Sequence, residues 1–218
     1  MKQITYILAI TAILFSATAV SGQKQDEKVH TTSGMHQAGD IHHHGEVMHH
    51  NDMQMGSGME HHMDNSSMTV RESKTTSLVI DSYLKIKNAL VADNGKEAAL
   101  AGKGLVNAFD NFDKSSVPAV KMSELKEIIE DARENADHIS ENKGDIDHQR
   151  EHFDLLSTDI KDLIAIAGAD RTLYQIFCPM YNNGEGGMWL SANNEIKNPF
   201  YGSKMMTCGE VKTVISIQ

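Results

Sequence analysis

Aromatic residues are scarce in this chain, with one Trp, five Tyr and six Phe among 218 residues. Proline is scarcer still, at three, and there are only two cysteines. These shortages exclude a collagen-like chain, a Pro-rich linker protein and a disulfide-dense scaffold. Basic charge is also short: 20 Lys and Arg face 30 Asp and Glu, for a formal net charge of −10. A nucleic-acid binder needs a basic face to displace counterions from phosphate, so that class is excluded and cations become the natural partners. No Ser-His-Asp pattern, pair of catalytic carboxylates or phosphate-binding glycine loop is legible, and a non-enzymatic role is expected. What the chain has in excess is His, 12, and Met, 13.

Residues 1–22 have the layout of a secretory signal peptide. Lys2 begins it, an apolar stretch from Ile4 to Phe15 follows, and Ala17-Thr18-Ala19 offers a cleavage site. The apolar stretch falls short of the roughly 20 residues that span a bilayer. The expected product is periplasmic or secreted, with no membrane insertion after cleavage.

Residues 23–75 are expected to form a disordered tail. Between Gln23 and Ser73 there is no Phe, Tyr or Trp, and the aliphatic residues are only Val29, Ile41, Val47 and Val70. Such a segment buries too little apolar surface to offset its conformational entropy. From His30 to Met68, however, nine His and seven Met make up 16 of 39 residues. Imidazole suits copper, zinc and nickel, whereas a thioether is a soft ligand that selects Cu(I) or Ag(I). A solvating linker has no need of methionine. The tail ligands expected are His42, His43, His44, His49, His50, Met53, Met55, Met59, His61, His62 and Met63, with copper favoured, silver possible, and zinc or nickel less favoured.

Residues 76–218 carry the periodicity of a folded domain. Val79, Tyr83, Ile86 and Leu90 recur at helical spacing, and Asn94 with Glu97 forms a capping-box variant ahead of Ala98, Ala101, Leu105, Ala108 and Phe112. A third stripe runs from Leu125 to Ile139. Gly144-Asp145 then opens a fourth, through Phe153, Leu156, Ile160 and Ile164. Four amphipathic segments with short connections predict a mainly α fold, an antiparallel four-helix bundle followed by a small irregular or β region at the C-terminus. His148 and His152, four apart on the fourth helix, can chelate one ion. At about 100° per residue, His152 lies at the edge of the apolar stripe and His148 nearer solvent. His138 has less to recommend it and is not included.

Both cysteines lie in the last region, in Cys178-Pro179-Met180 and in Met205-Met206-Thr207-Cys208. Two Cys-Met pairs can supply four soft ligands, Cys178, Met180, Met205 and Cys208, to Cu(I) if the Gly-rich loop between them folds back. The alternative is a Cys178–Cys208 disulfide in an oxidising compartment, and spacing alone does not choose between them. Trp189 either closes one side of a metal site or is a plain core residue. Met205 and Met206, as neighbours in an extended run, would point to opposite faces, so only one serves as a ligand.

The segment from about Ser77 to Ile215 resembles a bacterial domain-of-unknown-function family marked by a CPM motif and a later NP[FY][FY]G…M…CG motif. The matching residues are Gln149-Arg150, Phe153, Leu156-Ser157, Cys178-Pro179-Met180, Trp189-Leu190-Ser191, Glu195 to Gly202, Met205 and Cys208 to Val211. Members of that family occur as exported proteins and at the ends of copper/silver efflux adaptor subunits. The resemblance implies heavy-metal handling, with an efflux adaptor or pump as partner, and it selects Met205 over Met206. Some relatives carry a His before the CPM cysteine, where this chain has Phe177. Two functions follow as expectations. One is an exported copper-binding protein that buffers or delivers Cu(I) or Ag(I). The other is an interaction module of an efflux system, in which the Trp189 and Asn198–Gly202 loops bind a partner and only the tail holds metal.

Overall fold

The computed structural model describes residues 66–218. The expected signal peptide and the tail ligands from His42 to Met63 lie outside the described residues. Within them the chain runs through β1 (Ser66–Val70), α1 (Ser77–Val91), α2 (Gly95–Asp110), α3 (Met122–Glu141), α4 (Ile146–Ala167), β2 (Leu173–Cys178), β3 (Gly187–Ser191) and β4 (Glu210–Ile217). No described helix is long and apolar enough to cross a membrane.

The helices start where capping chemistry places them. Asn94 accepts a hydrogen bond from the Glu97 amide, and Asp145 accepts one from the His148 amide, each satisfying an otherwise orphaned donor. The expected stripes face inward: Val79, Ile86, Leu105, Leu125, Ile139, Phe153, Ile160 and Leu163 are fully buried. α1 packs on α2, α2 on α3 and α3 on α4.

The C-terminal region is more regular than the sequence suggested. The four strands form one sheet in the order β1-β4-β2-β3, with β1 parallel to β4 and the other two pairs antiparallel. β1 corrects the expected tail boundary at residue 75. Val70 is buried, the Gln218 amide donates to Val70 O, and the Ala169 amide donates to Arg71 O. Ser73 and Thr76 are buried too. A five-residue strand with one buried valine leaves almost no trace in composition, because its stabilisation comes from a ladder to residues nearly 150 positions away.

Tyr83 joins helices to sheet. The Leu190 amide on the edge strand β3 donates to the Tyr83 hydroxyl at 2.9 Å, and that hydroxyl lies 2.8 Å from Ser157 Oγ. Ser157 spends its own proton on Phe153 O, so the phenol is the donor to Ser157. The Tyr83 and Phe153 rings stack with centroids 5.2 Å apart.

Arg150 is the second tie. Its guanidinium is buried, donating to Pro199 O, to Leu90 O and to the Asp93 carboxylate. Asp93 also accepts from the Ser203 amide. Hydrogen bonds from Ser203 and then from Arg150 hold its carboxyl down at about 2. Gly202 sits against this pair with φ 54°, and a Cβ there would strike the Asp93 carboxylate. The turn after Pro199 is thereby clamped to the ends of α1 and α4.

Candidate metal centres

Strand register brings the two cysteines together. β2 and β4 run antiparallel with Phe177 opposite Glu210, so the next step along the ladder sets Cys178 beside the Cys208-Gly209 pair. The Gly-rich loop has a different task from the one expected, since it closes the β2–β3 hairpin. Burial along β2 falls on Leu173, Ile176 and Cys178, and the change of phase coincides with a one-residue register shift against β4 at Gln175/Ile176. Cys178 therefore points inward.

Cys178 and Cys208 are free thiols with Sγ atoms 2.7 Å apart, the first buried and the second half-buried. Burial, and then the hydrogen bond with Cys178, push the Cys208 thiol up to about 11, while the Met180 amide pulls it back. A cation bound between the two sulfurs would favour the Cys208 thiolate and offset the burial that holds its proton on.

Asn198, fully buried, holds the second cysteine in place. Its Nδ2 donates to Cys208 O at 2.7 Å, its amide donates to Met206 O, and its Oδ1 accepts from the Phe200 and Tyr201 amides. Tyr201 donates its hydroxyl to Met180 O at 2.7 Å.

Met180 and Met205 are exposed, at 56% and 40%, although large and apolar. Met205 and Met206 follow a short 3-10 turn (Gly202–Lys204) and are not an extended run, which corrects the opposite-face expectation. They differ in exposure instead, with Met206 half-buried. Trp189 is a core residue, fully buried and edge-on to Phe200 at 5.8 Å.

A second cluster lies on α3 and α4, which pack on each other. His148 and His152 come together as the i, i+4 spacing required. The structure adds His138, whose sequence surroundings did not single it out, from the last turn of α3. One ligand nitrogen from each of the three lies within 4.8 Å of the others. The His138 and His152 rings stack at 4.2 Å, and His148 stands nearly perpendicular to His152 at 4.6 Å. All three are half-buried. Burial first, then His138 and His148, lower the His152 pKa and favour the neutral, ligating form.

Residues 79–172 match the family model described as a protein of unknown function (DUF3347). The DUF3347 span takes in the three histidines and most of the helices, and it ends just before β2, so Cys178 and Cys208 lie beyond it. Comparison with curated proteins gave no match, and comparison with solved structures gave none either.

Proposed function

We propose that this is an exported, non-enzymatic copper-binding protein that buffers Cu(I), or Ag(I), and delivers it within a heavy-metal efflux system. In this reading the four helices, taken as an antiparallel bundle, are the scaffold. Cys178 and Cys208 are the primary ligands, and Met180 and Met205 complete a soft-donor set. The observation that carries the reading is the meeting of the chain's only two cysteines, as free thiols, each within three residues of an exposed methionine. Thiolate with thioether selects monovalent copper or silver over harder ions. The His- and Met-rich segment from His30 to Met68 supplies further ligands of the same kind.

Cu(I) competition with a chromophoric chelator on the full chain, under reductant, tests this. Cys178→Ser should weaken the tightest Cu(I) site at least about tenfold. Met205→Leu, which keeps volume and removes sulfur, should also weaken it, and Met206→Leu much less. Unchanged affinity in both Cys178→Ser and Met205→Leu would sink the proposal.

The interaction-module reading draws on the same 2.7 Å sulfur separation, since an oxidising compartment could join the pair as a disulfide. Its partner-binding loops are less favoured, because Trp189, Asn198, Phe200 and Gly202 are all buried. A thiol count on protein purified without reductant separates the two. Two free thiols that Cu(I) blocks support copper binding, and none at all supports the disulfide.

A further inference from the structure

We infer that His138, His148 and His152 form a second metal centre, separate from the sulfur pair, which takes one divalent borderline cation of the Cu(II) or Zn(II) class. Proximity alone does not carry this; the orientation of the rings does. Asn135, 9% exposed, donates its Nδ2 to Asp131 O and to the Asp159 carboxylate, both at 3.1 Å. Those two acceptors fix the amide, so its Oδ1 faces His152 Nδ1 at 3.0 Å and can only accept. His152 must therefore carry its proton on Nδ1 and present a lone pair at Nε2. His148 is set in the same way, with Nδ1 3.2 Å from the Glu151 carboxylate. A ligating imidazole is ordinarily held by such a hydrogen bond on its other nitrogen, which fixes the tautomer and raises its basicity.

The remaining features fit a dication. Imidazole is a borderline donor that suits Cu(II) and Zn(II), and three of them leave a fourth position for water or a carboxylate. Nitrogens around a tetrahedral ion at about 2.0–2.1 Å sit roughly 3.3 Å apart. From a spread of at most 4.8 Å, an inward shift of under about 1 Å per ring closes the site. Glu134 lies 3.9 Å from His138 Nε2, and Glu151 lies beside His148, so carboxylates flank the cluster. His138 occupies the last turn of α3, where the helix end favours positive charge. Glu134, Asn135 and His152 also line an open cleft, which gives an ion a path from solvent.

The test is a Zn(II) titration of the full chain, followed by residue-resolved nitrogen NMR of the imidazoles. The resonances of His138, His148 and His152 should move together with one apparent Kd. His138→Gln should raise that Kd at least about tenfold while responses of the histidines before residue 66 stay as they were. Should His138→Gln fold poorly, judged by melting in chelator, His148→Gln, on the other helix, serves the same purpose. Asn135→Leu should weaken the site by about 10–100-fold through loss of ring orientation. A parallel Cu(II) arm, read by loss of Zn(II)-dependent shifts, should show tighter binding than Zn(II). Cys178→Ser should leave the Zn(II) response intact, so failure here is distinct from failure of the Cu(I) site. Three imidazoles that respond at different Zn(II) concentrations, or a Kd unmoved by both glutamine variants, would overturn the inference.

Discussion

Removing one oxygen from Tyr83 should cost more than most core truncations of similar size. Tyr83→Phe keeps the ring, its burial and its stack on Phe153, so no cavity of consequence opens. What it removes is the acceptor of the Leu190 amide and the donor to Ser157. Ser157 keeps its bond to Phe153 O. The Leu190 amide lies on the free edge of β3 under a fully buried residue, where no strand offers a replacement. Stranding a buried donor costs about 1–3 kcal/mol, and the lost bond to Ser157 adds about 0.5–1 kcal/mol. The expected destabilisation is about 2–3 kcal/mol, a large share of a domain's net stability. Urea unfolding of the full chain measures it, as a fall in midpoint at unchanged slope. Ser157→Ala leaves the Leu190 bond in place and should cost about 1 kcal/mol. The double variant should then cost less than the sum, because both changes break one chain of hydrogen bonds. A Tyr83→Phe cost below about 0.5 kcal/mol would refute the view that this phenol ties the sheet to the helices.

Two further outcomes follow from the fold. A chain beginning at Ser66 should keep the urea midpoint of the longer one, whereas a chain beginning at Ser77 loses β1, the burial of Val70 and the ties at Arg71 and Ser73, and should unfold at clearly lower urea. Asp159 is pushed up to about 6 by burial, above an ordinary carboxyl near 3.8. Between those values the folded state binds the extra proton, so this group's contribution favours folding below about pH 4 and is lost as pH rises through 6. Asp159→Asn should therefore stabilise at pH 7, by about 1 kcal/mol or less after solvent screening, and do little at pH 4. Equal effects at the two pH values would show that Asp159 titrates normally.

Much of the helical part was legible because helix formation is local. Spacings of three and four marked the buried faces from Val79 to Ala167, and side-chain oxygens at Asn94 and Asp145 marked two starts. The sheet was legible only in fragments, since a strand is stabilised by whatever lies beside it. Thr172–Phe177 holds four β-branched or aromatic residues in six, whereas Ser66–Val70 ends a segment with the composition of a tail. Its partner, β4, is at the other end of the described chain. Arg150 was invisible for a related reason. A guanidinium is buried only where carbonyls such as Leu90 O and Pro199 O converge on it, and these come from segments 60 and 49 residues away.

The same distinction explains which site residues could be found. His148 and His152 share one helix, so their spacing alone sets their geometry. His138 belongs to the preceding helix. Whether it meets them depends on the connection between Glu141 and Ile146, which fixes how far one helix is rotated against the next. Its local surroundings, Asp137 and Ile139, carry no sign of this. The signal that was available lies across the turn: His138 stands four residues before Asn142, the cap that ends α3, and His148 three after Asp145, the cap that starts α4. Residues at matched distances on either side of a tight helix–helix connection are brought level with one another, and the i+4 partner of the second then falls one turn deeper. The cysteines obey the corresponding rule for strands. The end of β2 and the start of β4 become neighbours only because β4, and not β3, lies between β2 and β1. No spacing within residues 178–208 contains that fact, yet it decides that the two thiols meet at all.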